Sequence, residues 1–261
     1  MKQIIIYVVL FILALVGVVI IRLNEKPVQD KAITIEQYYS VADVFQGLDV
    51  ALYLSNDDHL LSDIEAYQMV YLKNEDESKK FQVSLTAISI DGEETYLNEV
   101  FTRYMLEFSL PVLNDDYWID DCYLDISLKN DLHYVFDIGS FSYLSVEDDV
   151  DHMFWTSLEA KKALDVDISR IGLIAVRFDA LEQSIERVSI GLNQEVTYEL
   201  SDGLLTVNIA YQHQLLHGCP ILIHYQDKST QVIQYVNYLK ENAVLTYAGL
   251  LNHVYDVNQS K

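Results

Sequence analysis

The sequence predicts a mainly β protein, an N-terminal transmembrane helix followed by antiparallel β-sandwich-like domains with a few short helices. Three observations predict it. Several segments alternate apolar and polar residues with a period of two. The 19 tyrosines against 3 prolines and 9 glycines suit pleated, half-buried surfaces better than flexible linkers. Ahead of both stands an uncharged run of 18 residues from Ile4 to Ile21.

That run reads IIIYVVLFILALVGVVII. As a helix it is about 27 Å long, close to the thickness of the bilayer's hydrocarbon core. It exceeds a usual signal-peptide core and is followed by Arg-Leu-Asn-Glu-Lys-Pro rather than a small-residue cleavage site. Residues 1–23 are therefore expected to be an uncleaved signal-anchor, with the bilayer as partner through Ile4–Ile21. Residues 24–33 form a polar juxtamembrane stalk, in which Pro27 discourages further helix. Arg22, Lys26 and Lys31 against Lys2 favour a cytoplasmic main domain by charge count, but large domains translocate past a few charges. An acidic, tyrosine-rich β domain behind an anchor leads us to expect a single-pass cell-membrane protein with its C-terminal domain extracytoplasmic.

Beyond the stalk, Thr34-Ile-Glu-Gln37 has the form of a capping box. Apolar residues follow at Ile35, Tyr38, Tyr39, Ala42 and Phe45, spaced as in a short amphipathic helix, with a strand reading left open. Alternation then dominates. It is clearest at Phe81–Ala87, Cys122–Lys129 and Leu205–Tyr211. Further strands are expected at Ile64–Lys73, Leu132–Ile138, Ile171–Phe178, Ser184–Leu192, Glu195–Leu200, Pro220–Tyr225 and Gln231–Leu239. Asp91-Gly92 and Asp202-Gly203 mark tight turns. Helical stripes or propensity appear at Glu94–Met105, Asp149–Leu164 and Ala243–Tyr255. The division expected is a larger β-rich domain over 34–181 and a smaller Ig-like β domain over 182–261, with a C-terminal helix possible.

The formal net charge is −23. Such a surface repels phosphates and excludes nucleic acid as an expected partner, while favouring cations and basic protein patches. Within Asn114–Asp121 the carboxylates of Asp115, Asp116, Asp120 and Asp121 offer oxygen ligands for Ca²⁺, although the glycine and terminal glutamate of an EF-hand are missing. The same segment offers Tyr117 and Trp118 as a binding surface. A solvated acidic loop is the plainer account. The acids at 147–151, with His152, offer a cation site, but negative charge at the start of a following helix is the preferred account.

His213, His217, Cys219 and His224 fall within twelve residues. An anchored β domain with a cysteine beside histidines invites comparison with sortase transpeptidases. The sequence departs from that pattern, because Cys219 follows Leu-Leu-His-Gly and no arginine occurs after Arg187. Cys219 and His217 stand as weak catalytic candidates; buried thiol and ordinary β-strand histidines are the alternative. Cys122 and Cys219 allow one disulfide in an oxidising compartment. No phosphate loop, GxSxG elbow, dinucleotide fingerprint or HExxH occurs. The leading expectation is thus a non-enzymatic, membrane-anchored protein-binding or scaffold subunit of an envelope complex. A cell-surface ligand- or Ca²⁺-binding module comes second and an anchored cysteine enzyme third.

Overall fold

A computed structural model describes residues 29–42, 47–145, 150–162, 171–192, 194–209, 214–236, 244–246 and 252–258. The Ile4–Ile21 run lies outside them. Among the described residues no helix is long and apolar enough to cross a membrane. They are overwhelmingly strand, with no α-helix and only two short 3-10 turns, Leu60–Ser62 and Ile64–Ala66.

The chain runs through β1 (Lys31–Ile35), β2 (Gln37–Val41), β3 (Leu48–Leu54), β4 (Tyr67–Lys73), β5 (Lys80–Tyr96), β6 (Glu99–Ser109), β7 (Tyr117–Leu128) and β8 (His133–Tyr143). It continues through β9 (Met153–Lys162), β10 (Ile171–Leu181), β11 (Ile185–Ile190), β12 (Gln194–Ser201), β13 (Leu204–Asn208), β14 (Leu215–His217), β15 (Cys219–Tyr225), β16 (Thr230–Val236) and β17 (Asn252–Asp256).

Ten strands form the first sheet, in the order β14-β2-β8-β7-β4-β5-β6-β3-β1-β17. Two corners fold it on itself. The long β5 pairs β4 over Lys80–Val83 and β6 from Ser84 onward, with bulges after Leu85 and Ile90. On the far side β1 and β2 are separated only by Glu36, yet lie on opposite flanks of the sheet, so those flanks must meet there. Val50, Leu52 and Leu106 from one flank and Leu72, Leu124 and Phe136 from the other fill the space between.

Seven strands form the second sheet, in the order β16-β15-β11-β12-β13-β10-β9. Here β12 makes the corner: Gln194–Val196 pair with β11 and Thr197–Ser201 with β13. Val188, Ile190, Ile221 and Ile223 pack against Ile174, Val176, Leu205 and Val207. Both sheets are therefore sandwich-like, closed by a strand that serves two faces.

Strand β2 joins the two units. Neighbouring side chains on it point to opposite faces, so Tyr39 enters the first core and Tyr38 the second. The Tyr38 hydroxyl accepts the Leu192 amide at 2.9 Å and lies 3.1 Å from the Ser142 hydroxyl. Gly191 passes so close that a Cβ would stand 2.1 Å from the Tyr38 oxygen.

Several expectations need correction. Residues 31–33 of the stalk belong to β1, and where a helix was expected from Thr34 the chain makes two successive strands, the end of β1 and β2, while Phe45 lies outside the described residues. Glu94–Met105 is a hairpin: Leu97 and Asn98, both at positive φ, make its turn, while Asp91-Gly92 is a bulge inside β5 rather than a turn. Residues 153–162 are β9, and Asn252–Asp256 is β17, where the C-terminal helix was expected. Strands β9 and β10 fall within 34–181 yet pair into the second sheet, whereas β14 and β17 fall within 182–261 yet return to the first. The passage between sheets lies between Tyr143 and Met153, because β10 finds its partner in β13.

Candidate functional site

The acidic segment 114–121 precedes and begins β7. Asp115 is exposed in the loop. Asp116 accepts the Ser145 amide at 2.9 Å, and the Asn114 carbonyl accepts the Ser145 hydroxyl, which together tie the loop to the end of β8. Asp120 accepts the indole N–H of Trp118. Asp120 and Asp121 occupy an irregularity between Ile119 and Cys122 and remain exposed. No three of the four aspartates bring carboxylate oxygens within 4.8 Å of one another.

Tyr117 and Trp118 are half-buried packing groups. Tyr117 meets Phe81 edge-on at 5.4 Å, and Trp118 meets Tyr38 in the same way at 5.4 Å. Trp118 thereby seals the joint between the two units. Among the tyrosines whose side chains are described, none is exposed. The exposed large apolar side chains are others, among them Ile90, Leu97 and Val100 on the β5–β6 arm and Phe154 and Trp155 on β9.

Cys219 is fully buried at the start of β15. Its thiol donates to the Tyr38 carbonyl at 3.1 Å, and burial pushes its pKa far up. The ring of His217 lies against Tyr39 at 5.1 Å, and loss of water holds its pKa at about 4. His224 sits between the hydroxyls of Ser189 and Thr230, each at 3.1 Å, and burial likewise holds it at about 4. His213 lies outside the described residues. A nucleophilic cysteine needs an accessible thiolate; Cys219 is a buried thiol, and the sortase-like reading fails on that ground. Cys122 is also free and buried, so the disulfide is not formed.

One set of side chains from distant positions does converge. Glu36 lies at the kink between β1 and β2, Asp137 on β8 and His253 on β17. One ligand atom from each lies within 4.8 Å of the others, and they are the one such group among the described residues. His253 Nε2 is 2.8 Å from Glu36 Oε1 and 3.7 Å from Asp137 Oδ2. The sheet positions each partner. His253 stands opposite Thr34 in the β1–β17 register, two residues from Glu36. Gly139, two residues after Asp137, stands opposite Gln37. That close approach requires glycine, since a Cβ at 139 would meet the Gln37 carbonyl oxygen at 2.3 Å.

Fixed backbone bonds orient the acid of β8. Asp137 Oδ1 accepts the Gly139 amide at 3.0 Å. The Thr34 hydroxyl donates to the Asp137 carbonyl at 2.6 Å, and the Asp137 amide donates to the Tyr255 hydroxyl at 2.8 Å. Burial raises the Asp137 pKa; the Gly139 amide and His253 oppose the rise, and the carboxylates of Glu36 and Asp121 add to it. Sequence reasoning missed this group. Its members are 217 positions apart at the extremes, and none stands in a spaced motif.

No family model matches the chain, and no curated protein matches it. Solved structures that overlap it include the tandem Ig repeats of Dlar, at 12% identity over 81% of this chain and 98% of that one, with a TM-score of 0.20. The fibronectin(III)-like modules of Clostridium thermocellum CbhA overlap at 10% identity over 80% of this chain and 94% of that one, with a TM-score of 0.19. Overlaps that loose carry no argument. The mainly β class rests on the strands themselves.

Proposed function

We propose that this chain is a membrane-tethered, extracytoplasmic protein-binding module, a non-enzymatic scaffold subunit that takes up a strand of a partner along β9. The carrying observation is the edge of the second sheet. Among the described residues β9 pairs on one side only, with β10. Phe154 and Trp155, neighbours that face opposite sides of the sheet, are 47% and 38% exposed. An unpaired edge offers main-chain hydrogen bonds, and flanking aromatic groups add apolar contact. Lys161 and Lys162 and the irregular pairing with β10 blunt the end of this edge, as monomeric proteins usually do; the two large apolar groups stand at its start. The chain's net charge of −23 favours a partner with a basic surface. The run Ile4–Ile21 supports the tether.

The test uses the full chain in its native membrane. A photo-crosslinking phenylalanine analogue at position 155 is expected to capture one discrete partner, whereas the same group at the exposed position 200 captures none. Phe154→Ser with Trp155→Ser should abolish co-purification of that partner while leaving circular dichroism unchanged. Equal capture from both positions, or co-purification that survives the double substitution, would refute the β9 assignment.

A further inference from the structure

We propose that Glu36, Asp137 and His253 form a binding site for one divalent transition-metal ion of the zinc class, clipping the last described strand to the kink between the first two. The reading starts from spacing. Zinc bonds to imidazole nitrogen and carboxylate oxygen at about 2.0–2.2 Å, which places tetrahedral ligands roughly 3.3 Å apart. The two separations from His253 Nε2, 2.8 and 3.7 Å, bracket that value. The imidazole thus stands from each carboxylate at about the spacing of two ligands on one ion.

Proton counting also favours a cation. Nε2 carries at most one hydrogen. At 2.8 Å it satisfies Glu36, while at 3.7 Å it is out of hydrogen-bonding range of Asp137 Oδ2. Two carboxylates therefore converge on one ring nitrogen that serves only the first. A dipositive ion would engage both, taking the neutral ring as its third ligand. The donor chemistry selects among ions: an imidazole suits zinc and its neighbours, whereas calcium and magnesium prefer oxygen alone.

The supports resemble those found behind metal ligands. The second oxygen of Asp137 is held by the Gly139 amide, and its backbone is held by Thr34 and Tyr255. Such outer contacts fix ligand orientation before the ion arrives. All three ligand residues are half-buried, which leaves an approach for water as a fourth ligand.

The experiment uses the full chain in detergent, stripped with chelator and titrated with zinc chloride alone. One equivalent is expected to bind and to raise the thermal midpoint by roughly 5–10 °C at a hundredfold excess over Kd. Co²⁺ in place of zinc should give the visible absorption of a tetrahedral nitrogen–oxygen site, a readout that needs no variant. His253→Gln and Glu36→Gln should each weaken binding at least about tenfold, while Asp115→Asn with Asp120→Asn leaves it unchanged. No retained zinc and a featureless cobalt spectrum would show an ion-pair cluster without a metal and overturn the proposal. Zinc binding that persists in both ligand variants, or that is lost with the aspartate pair at 115 and 120, would overturn it equally. None of these readouts depends on β9, so this site and the partner strand stand or fall separately.

Discussion

Removing the carboxylate of Glu94 is expected to detach the C-terminal segment at residues 244–246 and cost the chain about 4 kcal/mol. Glu94 is buried in the β5–β6 arm. Its Oε2 accepts two backbone amides, Val244 at 2.6 Å and Leu245 at 2.8 Å. Its Oε1 accepts the Tyr53 hydroxyl at 3.2 Å and Arg103 Nη1 at 3.4 Å. Glu94→Ala leaves two buried amides without their acceptor, at about 1–2 kcal/mol each. Breaking a buried ion pair costs about 3–5 kcal/mol when the surviving charge is stranded. Arg103 keeps Asp91 at 2.7 Å, so only a fraction of that applies. The total is a large share of a typical folding stability of about 5–15 kcal/mol. Urea unfolding of the full chain in detergent measures it, and Glu94→Gln, which keeps one acceptor oxygen, should lose about half as much. Amide exchange should quicken at Val244 and Leu245 but not at Leu205 or Val207, in the other core. A loss under about 1 kcal/mol, or uniform quickening in both cores, would refute the reasoning.

Other outcomes follow from the same structure. Both thiols should resist a disulfide reagent in the folded chain and react fully once it is unfolded; rapid labelling of native Cys219 would contradict its burial. His217 and His224 are held at about 4 against an ordinary 6.5. The unfolded chain therefore binds more protons between those values, and stability should fall as pH drops from about 6.5 towards 4. Replacing both with glutamine should flatten that part of the curve, and an unchanged slope would count against it. For Asp125, burial is outweighed by bonds from Lys73 and His133, leaving its pKa below 3.8. Its stabilising contribution is present above that value and lost on acidification through the lower folded pKa; Asp125→Asn should remove this acid-side component from a pH titration of stability. Gly139→Ala forces a Cβ against the Gln37 backbone and should cost more than about 3 kcal/mol, read as lost folded yield.

The strands were legible where one face is buried and the other wet. Leu205–Asn208 alternates because Leu205 and Val207 enter the second core while their neighbours do not. The rule fails where both faces are covered. Tyr38 and Tyr39 are both buried, each in a different core, so the segment from Thr34 lost its period of two and imitated a helix. The arm at 94–105 misled for the opposite reason: Leu97 and Val100 are exposed near its turn and complete a helical stripe by accident. Strand partners were legible only across a short turn, as at Asp202-Gly203 between β12 and β13. Pairing of β1 with β17 depends on a register spanning most of the chain, and Glu36, Asp137 and His253 become neighbours only through it.

Lys31 lies opposite Asp256, so the described chain enters and leaves its first unit through adjacent strands. During synthesis the ribosome must deliver nearly all of the polypeptide before that edge can be laid down. The first sandwich thus waits, incomplete, while the second is already able to form. A folding helper would find its client open at this seam.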